Sequence, residues 1–168
     1  MTRTSKADRD AVFAAFMSEA TPSLMRTAYL LTGSTDTAAE LVQATLVKAY
    51  AAWPSIRPET ALAYTRRILV NQRTDGWRRT RHEVAVADVP DRPRPEDGTE
   101  LLRHDVVRLL RTLPEQQRKV VVLRYYQDLS EASTAEMLGI SVGAVKSAAS
   151  RGLAALRALP ATTEGGIR

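Results

Sequence analysis

Apolar residues recur every three to four positions through most of the chain, the spacing that turns one face of a helix toward a core. Val12, Phe13, Phe16 and Met17 form such a stripe, with Asp8 placed to cap the helix that carries it. Thr21-Pro22 reads as a cap followed by proline at the first helical position. It opens a second stripe, Leu24, Ala28 and Leu31, which stops at Gly33. Asp36 is placed to cap a third helix bearing Leu41, Val42, Leu46, Ala49, Tyr50 and Trp53, ended by Pro54. Pro58 opens a fourth, through Leu62, Thr65, Ile68 and Leu69 toward Trp77. Further on, apolar residues at 102, 106, 109, 110 and 113 define a helix interrupted by Pro114, and Glu115–Tyr126 defines the next. Ser130 and Ser141 are placed to cap two last helices, with Gly139 between them where a helix C-terminus needs a left-handed residue. No segment sustains the two-residue alternation of a strand, so the predicted fold is all-α.

Between the two sets of helices, Val89–Glu100 is poor in apolar residues and gathers Pro90, Pro93, Pro95 and Gly98. Such a stretch cannot bury a core and reads as an extended linker. The prediction is two small helical domains, residues 8–80 and 101–160, joined by an acidic, proline-rich linker over 81–100. Charge follows the same division. Residues 1–80 carry 11 basic and 7 acidic side chains, 81–100 carry 3 and 6, and 101–168 carry 10 and 6. Two basic blocks flank an acidic bridge, a distribution that suggests nucleic acid more strongly than the net charge of +5 does.

Composition removes several classes of function. The chain has no cysteine, so disulfides, thiolate metal sites and a cysteine nucleophile are excluded. Its two histidines, His82 and His104, do not make a metal site or a Ser-His-Asp triad. No phosphate-binding loop is present. No catalysis, metal or cofactor is therefore expected. The longest run without a charged residue is nine, too short to span a membrane, and charges at Asp8, Arg9 and Asp10 stand where a signal peptide needs an apolar stretch. The expectation is a cytoplasmic protein with no membrane partner.

The sharpest local pattern is Ala135, Gly139 and Val145. A helix-turn-helix needs a small residue where its helices touch, glycine in the turn and an apolar residue locking the second helix. The competing interpretation is a plain helical hairpin. In a helix-turn-helix the second helix enters the major groove through its N-terminal part. Its exposed face here carries Gly143, Lys146, Ser147, Ser150 and Arg151. Lys146 and Arg151 suit phosphates or guanine edges, and the two serines suit either.

A second pattern runs from Arg57 to His82. It holds seven arginines against Glu59 and Asp75, interleaved with Tyr64, Asn71, Gln72 and Trp77. Cations for backbone, flat side chains for bases and amides for base edges make a groove for single-stranded nucleic acid. The same composition also fits a surface helix with Trp77 in the core. A third segment, Gly33–Trp53, reads as an amphipathic helix with Glu40, Gln43 and Lys48 on its outer side.

The order of these segments carries further information. Asp36–Gln43, with its Glu-Leu-Val-Gln, is followed by Tyr64–Asn71 (Tyr-x-Arg-Arg-Ile-x-Val-Asn), then Leu113–Arg118 (Leu-Pro-x-x-x-Arg), Tyr125–Ala132 and the helix-turn-helix with Gly139–Ser147. Together, over about residues 8–158, they resemble the extracytoplasmic-function (ECF) sigma factors of bacterial RNA polymerase. The resemblance implies that the first domain corresponds to sigma-70 region 2 and the second to region 4. It implies that Glu40, Leu41 and Gln43 dock on the β′ clamp helices of core RNA polymerase. It implies that the loop near Trp53–Glu59, with Arg57, captures a flipped base of the −10 element, and that Tyr64, Arg67, Asn71, Arg78 and Arg79 follow the non-template strand. The second domain would bind the β flap and read the −35 element of promoter DNA, and an anti-sigma factor is a further candidate partner.

The chain departs from the family pattern in places. Ala39 and Ala44 stand where acidic residues are frequent, Ser133 and Thr134 replace the usual Glu-Ile, and Ala148 stands where an arginine is common. Thr134 puts a hydroxyl near the small core. The alternative function is a stand-alone helix-turn-helix regulator that binds duplex DNA without polymerase. It needs neither the basic Arg57–His82 stretch nor the acidic linker.

Overall fold

The computed structural model describes residues 4–72 and 98–160, with side chains of 98–103 excepted. Trp77, Arg78, Arg79, residues 81–97 of the expected linker and the tail beyond 160 lie outside the described residues. Among the described residues every regular element is helical, and no helix is long and apolar enough to cross a membrane.

Helix α1 runs without a break from Lys6 to Thr32, where two helices were expected. Pro22 lies inside it. A proline has no N–H to offer the carbonyl one turn back, but buried residues on both sides, Phe13 and Ala20 before it and Leu24 and Ala28 after it, share one face and hold the helix on its neighbours. The Thr21 hydroxyl bonds the Met17 carbonyl at 2.5 Å beside the gap. The N-cap is Ser5 rather than Asp8: Asp8 is its partner in a capping box, its N–H donating to Ser5 Oγ at 3.1 Å and its carboxylate accepting from the Ser5 N–H at 3.2 Å. Gly33 ends the helix at φ 73°, in the left-handed region.

Ser34, not Asp36, caps α2 (Thr35–Ala52), accepting from the Thr37 N–H. Two short 3-10 turns, Trp53–Ser55 and Pro58–Thr60, lead into α3 (Ala61–Asn71). The three helices close over Ala20, Leu24, Ala28, Ala38, Leu41, Val42 and Leu69. A buried polar chain ties α2 to the end of α3: Gln72 Nε2 donates to Thr45 Oγ1 at 2.8 Å, and that hydroxyl donates to the Leu41 carbonyl at 2.7 Å.

Helix α4 (Gly98–Arg111) begins inside the stretch expected to be linker. Helix α5 (Glu115–Val121) passes into a π-helical turn at Val122–Tyr126, where the predicted helix was to continue unchanged. Helices α6 (Glu131–Leu138) and α7 (Val142–Ala158) form the helix-turn-helix. Ser130 and Ser141 cap them as the sequence indicates, and Gly139 makes the turn at φ 67°. Val120, Ala135, Val145 and Ala148 fill its core.

The two helical domains share a third cluster. Leu30, Leu31 and Val70 from the first pack with Val107, Leu110, Leu113, Val121, Val122 and Leu123 from the second.

Candidate nucleic-acid interface

Helix α7 buries Val145, Ala148 and Gly152 against α5 and α6. That rotation leaves Gly143, Lys146, Ser147, Ser150 and Arg151 exposed, all five of the residues expected on the reading face. The Ser141 hydroxyl accepts from the Ala144 N–H at 3.0 Å and caps the start of the helix, the turn that would enter a groove. Lys146 Nζ lies 3.7 Å from Glu131 on the first turn of α6, an exposed pair that holds the ammonium loosely.

On α3, Tyr64, Arg67 and Asn71 lie at helical spacing on an exposed stripe, opposite buried Ala61, Thr65 and Leu69. Tyr64 is 41% exposed, enough to offer a ring face. Asn71 is not idle: its Nδ2 donates to the Met137 carbonyl, at the end of α6, at 2.8 Å. Arg66 turns the other way, toward α1, where Nη2 approaches Ser23 Oγ at 3.4 Å. Its half-burial pushes the guanidinium below its ordinary pKa, because the charged form loses solvation.

Arg57 is exposed and precedes the second 3-10 turn, its carbonyl accepting from the Thr60 N–H at 3.0 Å. The loop it belongs to is anchored at one end by Trp53. That ring meets Phe13 and Phe16 of α1 at centroid distances of 5.1 and 5.0 Å, and Phe13 also meets Tyr50 at 5.1 Å. Tyr50 in turn donates to Asp10 at 2.7 Å, and the neighbouring carboxylate holds the phenol above its ordinary pKa. The aromatic cluster gives the loop a stiff base.

On α2, Glu40 and Gln43 are exposed as expected. Leu41 is not: at 1% exposure it faces Leu24 and Leu69 in the core. Leu41 and Val42 fall on the buried side of α2, and Glu40 and Gln43 bracket them on the outer side. The direct contact expected through Leu41 is therefore corrected: its side chain lies in the core, off the outer face of α2.

Residues that join the two domains were not found by sequence reasoning. Arg118 lies inside the Leu-Pro-x-x-x-Arg segment, yet its bonds go to main-chain carbonyls, which carry no residue identity to read. Tyr29 and His104 share a hydrogen bond at 2.8 Å, and Gln127 Nε2 donates to Thr27 Oγ1 at 2.7 Å.

Comparison with known proteins gives the class first. The family described as sigma-70 region 2 matches residues 16–83, and sigma-70, region 4 matches residues 103–156. The RNA polymerase sigma-E factor of Streptomyces coelicolor is 39% identical over 139 residues, spanning 80% of this chain and 78% of that protein. The ECF RNA polymerase sigma factor EcfG of Rhodopseudomonas palustris is 33% identical over 145 residues, spanning 83% and 80%. The solved sigma factor RpoE of Bartonella quintana, in complex with the anti-sigma factor NepR, superposes with a TM-score of 0.69 at 27% identity, covering 86% of this chain and 94% of that one. The chain belongs to the ECF sigma factors of RNA polymerase.

Proposed function

We propose that the chain directs promoter recognition with the following division of labour. Residues 8–80 form the unit that meets polymerase and the −10 element, and 101–160 the unit that reads the −35 element, joined through 81–100. Glu40 and Gln43 contact the β′ clamp helices over the support of Leu41. Arg57 and the Trp53-anchored loop receive a flipped base, and Tyr64, Arg67 and Asn71, continued by Arg78 and Arg79, follow the displaced strand. Gly143, Lys146, Ser147, Ser150 and Arg151 face the −35 duplex. The observation that carries this reading is the exposed polar stripe of α7 on a fully capped helix-turn-helix. The protein does no chemistry of its own. Unstacking the bases costs a few kcal/mol, on the order of 2–4, and aromatic and cationic contacts to the exposed strand offset it. We assign it to the cytoplasm, with core RNA polymerase and promoter DNA as partners. An anti-sigma factor is a candidate third, as for RpoE of Bartonella quintana, which was solved with NepR.

The test is binding and run-off transcription from a promoter fragment with and without core polymerase. The sigma reading expects promoter binding and transcripts only with core enzyme. Tight binding to duplex by the chain alone, unchanged by polymerase, would favour a stand-alone regulator instead.

A further inference from the structure

Gln72 is the residue at which α3 ends. Its N–H still donates to the Ile68 carbonyl at 3.1 Å, while its own backbone has turned extended at φ −68° and ψ 141°. By composition it belongs with Asn71 among the amides of the basic stretch, which suit base edges. The structure turns it inward: Asn71 is exposed, whereas Gln72 is only 9% exposed. Its Nε2 donates to Thr45 Oγ1 of α2 at 2.8 Å.

Thr45 is fully buried. Its hydroxyl proton goes to the Leu41 carbonyl at 2.7 Å, which leaves the oxygen only its lone pairs, so an amide N–H is the group that completes it. Around this bond α2 and α3 meet through apolar side chains, Ala38, Leu41 and Val42 against Leu69. Apolar contacts between helices tolerate sliding, and a satisfied buried polar pair fixes one register. The pair sits where register matters. Leu41 lies between Glu40 and Gln43 on α2, and Gln72 follows Asn71 on α3.

We infer that Gln72 is a positioning residue for strand binding: through Thr45 it pins the end of α3 to α2, and so sets the stripe of Tyr64, Arg67 and Asn71 at a fixed place relative to the face of α2 that meets polymerase. This rests on the roles given to α2 and α3 above. Gln72 itself touches no DNA. A holoenzyme docked through α2 presents the stripe in place only while the bond holds.

The experiment separates position from stability. Gln72→Met with Thr45→Val makes both partners apolar at nearly the same shape, a change that costs a fold little, so the thermal midpoint should stay close to that of the parent chain. Gln72→Asn withdraws the amide by one methylene and lets it reach water at the helix end, so it carries the same test where the double variant does not fold. Thr45→Ser keeps the hydroxyl. Each chain is assembled with core polymerase and titrated onto probes from a promoter that the holoenzyme transcribes: the non-template −10 strand alone, and a duplex carrying the −35 element alone. The double variant and Gln72→Asn should lose strand affinity by roughly threefold to tenfold. Core binding and the −35 duplex should be unchanged, and Thr45→Ser should bind the strand as the parent does. Spin labels on Lys48→Cys of α2 and Ala63→Cys of α3, both exposed in a chain without cysteine, should report a broader distance in the double variant and in Gln72→Asn. A folded variant with the parent's strand affinity would overturn the inference. So would equal losses on the strand and the −35 duplex, a loss shared by Thr45→Ser, or lost affinity beside an unbroadened distance. A parent holoenzyme that does not bind the strand would instead overturn the role given to α3.

Discussion

Arg118 Nη1 donates to the carbonyl oxygen of Leu31 at 2.8 Å, joining residues 87 positions apart. The same guanidinium reaches the carbonyls of Leu110 at 3.0 Å and Leu113 at 2.9 Å, and the residue is only 2% exposed. Leu31 lies in the last turn of α1 and Leu110 in the last turn of α4, where carbonyls lack intrahelical partners and helix dipoles present their negative ends. Carbonyls at two helix termini thus help to solvate a buried cation. Lysine is a point donor and cannot span three carbonyls held in this fork. Arg118→Lys should cost about 2–4 kcal/mol, a fall in melting midpoint of roughly 5–15 °C in a chain of this size. An unchanged midpoint in a thermal melt would show that the three bonds contribute nothing net.

Leu41 and its neighbours separate folding from docking. Leu41→Ala should cost about 2–5 kcal/mol of stability through the cavity it leaves. Glu40→Ala with Gln43→Ala should leave the melt unchanged and weaken binding to core polymerase, because both side chains are exposed on α2. Full polymerase affinity in that pair would remove the outer face of α2 from the docking surface.

The helix-turn-helix was legible because each of its requirements is a residue type at a position: a small residue at 135, glycine at 139, an apolar lock at 145 and serines at both caps. Thr21-Pro22 misled for the opposite reason. Proline at a first helical turn and proline inside a helix look alike over four residues, and only the continuity of Phe13, Ala20 and Leu24 on one buried face distinguishes them. Ser5 and Asp8 form a reciprocal pair, and from sequence either member of such a pair can serve as the cap. The exposed stripe of α7 followed from helical periodicity alone. The domain contact did not, because Leu31 and Met137 take part through carbonyl oxygens.

Thr134 marks a position where stability can be gained. It is fully buried, and its hydroxyl has no hydrogen-bond partner. Thr134→Val keeps the shape and removes the orphaned polar group, so the protein should gain about 1 kcal/mol. A chemical denaturation midpoint measures this, and DNA binding should stay as it was. A loss of stability would mean that the hydroxyl finds a partner in solution.

Gly152 sets the approach of α7 to α5. A Cβ built there would lie 2.9 Å from Val121 Cγ2, and a valine methyl has little room to move. Gly152→Ala should therefore cost about 1–3 kcal/mol despite alanine's better helix propensity. Val121→Ala in the same chain should return part of that loss, and two additive losses in the double variant would show that the two sites do not compete for space.

Lys146 and Arg151 should contribute differently to DNA binding. Five positions apart on α7, they are separated by about 140° around the helix axis, so both cannot point at the groove centre. Lys146 follows the Ser141 cap by little more than a turn and suits a base edge, whereas Arg151, a turn further along, suits phosphate. Arg151→Ala should weaken binding to every sequence about equally and reduce the salt slope by roughly one unit. Lys146→Ala should cost about 1–3 kcal/mol on the preferred −35 sequence and less on scrambled duplex. The 3.7 Å pair with Glu131 is exposed, so giving it up on binding costs Lys146 little. Glu131→Ala should then strengthen binding modestly on both templates by removing a negative charge near the phosphates. The assay is holoenzyme titrated onto promoter DNA at several salt concentrations, with the −35 element intact or scrambled. Equal losses for Lys146→Ala on the two templates would make Lys146 a phosphate anchor and leave sequence discrimination to Gly143, Ser147, Ser150 or the shape of the duplex.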